Sequence, residues 1–139
     1  VKVRDIIIAQ GASTDSAIVK DGFGAHHFAP IADFGLLRSA ADKAAAKGLN
    51  AVVGNIFSSD IFYHIEPGLE GYGRLPAHGI LGVEMETAAL YTLAARFSVK
   101  ALSICTVSDD LLRHEFMSSD DRQSSLKDMI ALALDVATA

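Results

Sequence analysis

Four short apolar runs recur along this 139-residue chain, and the segments between them switch to helical spacing. The runs cover residues 4–9, 50–57, 80–85 and 100–107. The first carries Ile6, Ile7 and Ile8 in a row. Consecutive β-branched residues suit a strand buried on both faces. After the first run, Asp33 is placed to cap a helix whose apolar positions Phe34, Leu37 and Ala41 recur at helical spacing, and Gly48 ends it. A second helix is predicted over residues 87–97, packing through Leu90, Leu93 and Ala94. Residues 118–121 start a final helix with a stripe of Leu126, Met129, Ile130, Ala133 and Leu134. Residues 11–30 and 63–78 read as loops. Strands that alternate with helices predict an α/β fold, a largely parallel sheet with helices on its faces.

Composition narrows the classes of function. Half of the residues are apolar, enough for one compact domain with a real core. The net charge is −5 and the basic residues are scattered, which argues against nucleic acid or an anionic membrane surface as a partner. No apolar run is long enough to span a bilayer. The single cysteine, Cys105, sits in the run "ALSICTV" and reads as a small core residue in a reducing, cytoplasmic compartment. The five histidines lack metal-ligand spacing, so no metal is expected. P-loop, G-x-G-x-x-G and G-x-S-x-G motifs are absent from the sequence. The chain opens at Val1 almost directly into a strand, which is expected of a piece of a longer protein.

In open α/β sheets, ligands gather at the carboxyl ends of strands. Three such ends carry suggestive residues. The second run leads into "FSSDIFY", with Phe62 and Tyr63. The third ends at Glu84-Met85-Glu86, where a helix begins. The fourth runs into Ser108, Asp109 and Asp110. Each has a plain structural explanation: packing aromatics, acids at the positive end of a helix dipole, an ordinary helix cap. Together they supply a flat apolar wall, acids that bind hydroxyls, and a proton donor. A nucleoside asks for that set, so the three strand ends are expected to converge on one pocket.

The segments "GASTDS", "IADF", "VGNIFSSDIFY", "GILGVEMETAALY" and "ALSICTVSDDLLRHE…DRQSSLKDMI" resemble the bacterial hexameric purine nucleoside phosphorylases, and they do so in order along essentially the whole chain. The resemblance implies a three-layer fold, a central mixed sheet flanked by helices. It further implies that residues 1–139 are the carboxyl-terminal part of a single domain, inactive alone because the phosphate-binding residues precede it. Carried over by motif, Phe62 is the aromatic stacked on the purine, with Tyr63 beside it. Val83 and Met85 contact base and sugar, and Glu86 grips the ribose 2′- and 3′-hydroxyls, with Glu84 lining the same pocket. Ser108 lies at the base, Asp109 protonates purine N7, and Arg122 assists that transfer. Inorganic phosphate is the co-substrate, and no other cofactor is implied. The expected assembly is a homohexamer, a trimer of dimers.

The same superfamily holds alternatives. Uridine phosphorylases share the Glu-Met-Glu element but lack the Ser-Asp pair. Methylthioadenosine nucleosidases have a Ser-Asp pair but attack with water and lack the counterpart of Arg122. A non-catalytic fragment or assembly partner is the alternative from another class. Asp110 stands where the phosphorylases usually have histidine, which removes a possible cation from the site.

Overall fold

The computed structural model describes residues 1–21, 23–24, 26–61, 73–110 and 113–138. Its main sheet has four strands: β1 (Ile6–Thr14), β2 (Ala51–Ser58), β3 (Ile80–Glu84) and β4 (Ser103–Thr106), in the order β3-β2-β1-β4. β1, β2 and β3 are parallel, whereas β4 runs antiparallel to β1. The sheet is therefore mixed. Among the described residues four α-helices accompany it, α1 (Ile18–Asp21), α2 (Phe34–Ala46), α3 (Thr87–Phe97) and α4 (Ser119–Ala137), with a 3-10 turn at Pro76–His78. A two-stranded ribbon, β5 (Asp109–Asp110) with β6 (Glu115–Phe116), links β4 to α4.

The isoleucine triplet lies in β1, between β2 and β4. Successive side chains on a strand point to opposite faces, so Ile6 and Ile8 enter one cluster with Ala40 and Ala44 of α2 and Leu132 and Val136 of α4. Ile7 and Ala9 enter the other, with Ile56 and Ala88 of α3. Three layers follow: α2 and α4 on one face, the sheet, and α3 on the other. Gln10 falls out of the β1–β2 register, and Gly11 resumes it opposite Asn55. There the chain passes close beneath Pro30, whose carbonyl accepts from Ala12, and a Cβ on Gly11 would meet that oxygen at 3.3 Å.

The helix boundaries follow from capping. Asp33 accepts from the Leu36 amide, and Gly48 stands just past α2 with φ +65. Ser118 accepts from the Asp121 amide at the start of α4, where Asp120 and Asp121 suit the helix dipole. The buried faces agree with expectation at Ala94 and Met129 and depart from it elsewhere. α3 packs through Ala88, Tyr91 and Ala94, leaving Leu90 and Leu93 44% and 42% exposed. α4 packs through Met129, Leu132 and Val136, and Leu126, Ile130 and Leu134 are exposed. Both helices carry a second apolar stripe, and the small residue Ala88 lets α3 approach the sheet closely on the other one.

Tyr91 fixes α3 to the sheet. It is 1% exposed, and its hydroxyl donates to Ala9 O at 2.6 Å while accepting from Ser103 N at 2.9 Å. Ala9 and Ser103 face each other across β1 and β4, so the phenol is spliced into that pair. Burial, first of all, pushes the Tyr91 hydroxyl up from 10.0 to about 12. The unfolded chain gives up this proton near pH 10, but the folded chain holds it longer. The Tyr91 contribution is therefore whole below pH 10 and is lost as the pH rises through about 12. Denaturant titrations between pH 8 and pH 12 are expected to show a loss on the order of 2 kcal/mol that is missing from the pH profile of Tyr91→Phe. At neutral pH, Tyr91→Phe should cost about 1–3 kcal/mol, since it strands the buried Ala9 carbonyl and the half-buried Ser103 amide. Parallel pH profiles for the two proteins would contradict this.

Candidate active site

The junction between β3 and α3 holds the Glu84-Met85-Glu86 element, and its two carboxylates are used differently. Glu84 points back onto the helix start. Its Oε2 accepts from the amides of Glu86 and Thr87 at 2.9 and 2.8 Å, and from Thr87 Oγ1 at 2.8 Å. Its Oε1 accepts from Ser58 Oγ, which in turn accepts from the Ala88 amide at 2.9 Å. One carboxylate and one hydroxyl thereby satisfy three of the first amides of α3, groups that have no partner within the helix. Thr87 Oγ1 is also 2.8 Å from Ser103 Oγ, which contacts Cys105 Sγ at 3.6 Å. The Cys105 thiol is pushed up by burial above all, with the negative fields of Glu84 and Glu86 adding to the effect.

Glu86 is the N-cap residue of α3, yet it makes no side-chain capping bond and is exposed. Val83 and Met85 beside it are 40% and 38% exposed. An open acid next to two open apolar side chains is suited to a ligand with hydroxyls and a flat apolar part. Phe62 and Tyr63 lie outside the described residues.

A second group forms where β4 passes into the ribbon. Ser108 Oγ donates to Asp109 Oδ2 at 2.6 Å, and Arg122 on the first turns of α4 pairs with Asp109 Oδ1 at 2.9 Å. Asp109 is thus held from both oxygens while remaining partly open. Asp110 turns to Arg113, accepting from its amide at 2.9 Å and lying 3.7 Å from its Nε. The acid in the usual histidine position is therefore engaged within its own turn.

The three strand ends do not share one edge. Phe57 and Ser58 pair with Val83 and Glu84, so the ends of β2 and β3 are adjacent. β4 begins at Ser103, close to Thr87, and runs the other way, carrying Val107 to the amino end of β1, where it bonds with Asp5 and Arg4. The expectation that the end of the fourth run joins the other two is corrected by this antiparallel course. Glu86 and Asp109 head separate groups, and among the described residues no hydrogen bond joins them.

Ser58, Thr87, Ser103 and Asp15 were not singled out by the sequence. Asp15 holds the far side of the same corner, accepting from Ser59 Oγ at 2.9 Å and from the Asp60 amide at 3.0 Å. The available signal was the three-residue spacing of Glu84 and Thr87, that of a side chain accepting from an amide at a helix start. A cavity of about 350 Å³ opens beside the end of β1, near Ser13, Lys20, His26, His27 and Asn55, and none of the predicted site residues lines it. Among the described residues no group of three or more His, Cys, Asp or Glu is placed to hold a metal, and no helix is long and apolar enough to cross a membrane.

The family model of the phosphorylase superfamily matches residues 1–138. The chain belongs to the phosphorylase superfamily. It is 50% identical over 135 residues to a protein of Photobacterium profundum named "Purine nucleoside phosphorylase DeoD-type 1", covering 97% of this chain and 55% of that protein. It is also 50% identical over 137 residues to "Purine nucleoside phosphorylase DeoD-type" of Caldanaerobacter subterraneus subsp. tengcongensis, covering 99% of this chain and 58% of that one. The chain thus spans a little over half the length of these curated relatives. The mixed sheet between helices is the architecture that the resemblance implied, and the superfamily match supports it.

The two groups should respond differently to substitution. Thr87 is buried and linked to both Glu84 and Ser103, so Thr87→Val is expected to cost about 1–3 kcal/mol of stability, read from the denaturant midpoint. Arg122 is exposed and Asp109 is partly open to solvent, so Arg122→Ala should cost less than about 1 kcal/mol. A reversed order would mean that the Asp109–Arg122 pair, rather than the Glu84 corner, holds the fold together.

Proposed function

We propose that the protein containing this chain cleaves purine nucleosides by phosphorolysis, giving the free base and ribose or deoxyribose 1-phosphate. The observation that carries this reading is the 50% identity, over nearly all of this chain and a little over half of each relative, to two proteins named purine nucleoside phosphorylase. In this reading residues 1–139 are the carboxyl-terminal part of one domain, and the phosphate-binding residues belong to the part that this chain does not span. The working form is a cytoplasmic homohexamer of such subunits, without metal or organic cofactor.

By the resemblance Glu86 takes the ribose hydroxyls and Asp109 the purine N7, although the antiparallel course of β4 sets the two in separate groups within this chain. Phosphate attacks C1′ as the C1′–N9 bond breaks, and Asp109, which must first take up a proton from solvent in the working enzyme, passes it to N7, so that the purine leaves as a neutral molecule. General acid catalysis of this kind contributes typically ~10²–10⁴-fold. Arg122, at 2.9 Å, offsets the negative charge that appears on Asp109 when the proton leaves, and Ser108 orients the other oxygen. Val83 and Met85 supply apolar contact, and Phe62 and Tyr63 supply the stacking wall. Glu86, unused by the helix, is free to accept from two hydroxyls at once.

Two substitutions in the active enzyme test these roles. Glu86→Ala should weaken adenosine binding and turnover far more than adenine binding, because the free base has no ribose. Asp109→Asn keeps the shape but cannot give a proton, so kcat for adenosine and inosine should fall by roughly 10²-fold or more with little change in KM. 7-Methylguanosine, whose base already carries a positive charge, should be spared. Equal losses for all three nucleosides would assign Asp109 a positioning role, and equal losses for adenosine and adenine would remove Glu86 from the ribose.

A further inference from the structure

The carboxylate of Glu84 is saturated by the protein itself. Four groups donate to it: the amides of Glu86 and Thr87, the hydroxyl of Thr87 and the hydroxyl of Ser58. The backbone it holds is that of Glu86, the acid left exposed. We infer that Glu84 is a positioning residue, which sets the direction of Glu86 by clasping the β3–α3 turn from behind and does not itself touch the nucleoside. This deepens the reading of Glu86 as the ribose-binding acid and rests on it.

Several features carry the inference together. Met85 and Glu86 form a two-residue connection between β3 and α3, so bonds to the amides of Glu86 and Thr87 act directly on the course of the residue that carries the exposed acid. Glu86 cannot cap α3 and bind a ligand with the same oxygens, and the structure gives the capping to Glu84. Ser58 extends the clasp to a second strand: it donates to Glu84, accepts from Ala88, and its carbonyl accepts from Thr14 Oγ1 at 2.7 Å. The Ser59 amide then donates to the Glu84 carbonyl at 2.9 Å. The ends of β1, β2 and β3 and the start of α3 are thereby tied around one side chain. A second acidic residue three positions before Thr87 thus has a reason beyond favouring the helix dipole.

A glutamine at this position keeps an oxygen that can accept from the Glu86 and Thr87 amides, and its amide group can donate to Ser58 Oγ. An alanine keeps neither. Two readouts follow on Glu84→Gln, Glu84→Ala and Ser58→Ala. The first is amide hydrogen exchange at Glu86 and Thr87 in the intact protein, which needs no activity. Glu84→Ala should lose protection by about 10- to 100-fold, the range expected for bonds to a charged group, and Glu84→Gln should lose far less. Ser58→Ala should release chiefly the Ala88 amide. The second is nucleoside KM in the active enzyme, where Glu84→Ala should raise KM for adenosine about tenfold or more, leave adenine binding unchanged, and be rescued by glutamine. If glutamine is as damaging as alanine to KM while the amides stay protected, the Glu84 charge acts on the ligand and the inference is overturned. Unchanged protection in Glu84→Ala overturns it as well. If an enzyme with native Glu84 fails to distinguish adenosine from adenine, the ribose reading of Glu86 fails, and the exchange data still decide whether the clasp exists.

Discussion

The placement of the Tyr91 phenol governs much of this structure. This side chain, only 1% exposed, joins the Ala9 carbonyl to the Ser103 amide, and so joins the central strand, the antiparallel strand and α3 at one point. Without that bridge, the buried Ala9 carbonyl and the half-buried Ser103 amide would lose this partner, at a cost that is a sizeable part of a small domain's stability. With it, the start of β4 lies against the start of α3, and Thr87 reaches Ser103. The two groups of candidate functional residues inherit their positions from this junction. One sits where α3 begins, and the other lies further along β4, beyond Val107.

Polar groups at the head of α3 illustrate how structure and function divide a limited set of side chains. The first amides of a helix must find acceptors or water. Glu84 and Ser58 take that duty, which leaves Glu86 open. Asp109 shows the complementary case: it is bonded from both sides, by Ser108 and Arg122, and held in one orientation while part of it stays accessible. A flexible acid would bind hydroxyls less selectively, and a buried one would not reach a ligand.

Much of the fold was legible because local chemistry decided it. The isoleucine triplet marked the doubly buried strand, Asp33 and Ser118 marked helix starts, and Gly48 marked an end. The direction of β4 was not legible, because a run of four residues reads the same in either orientation and only its partners set it. The buried faces of α3 and α4 were misjudged for a related reason. Each helix has two apolar stripes, and the sequence pattern favoured Leu90, Leu93, Ile130 and Leu134, whereas packing chose the stripes containing Ala88 and Leu132. At the β3–α3 turn both acids were marked by the sequence, but their division of labour was not. Glu84 and Glu86 look alike in sequence, and which of them caps the helix depends on the path of the turn between them.

The central claim is that Glu86 and Asp109, on separate groups, serve the two ends of one nucleoside while Glu84 stays on the backbone. A crystal structure of the intact enzyme with a purine nucleoside bound tests it most directly. The account predicts ribose hydroxyls within hydrogen-bonding distance of Glu86, purine N7 facing Asp109, and the Glu84 carboxylate still accepting from the Glu86 and Thr87 amides. A nucleoside whose sugar is held by Glu84, or whose base lies out of reach of Asp109, would contradict it.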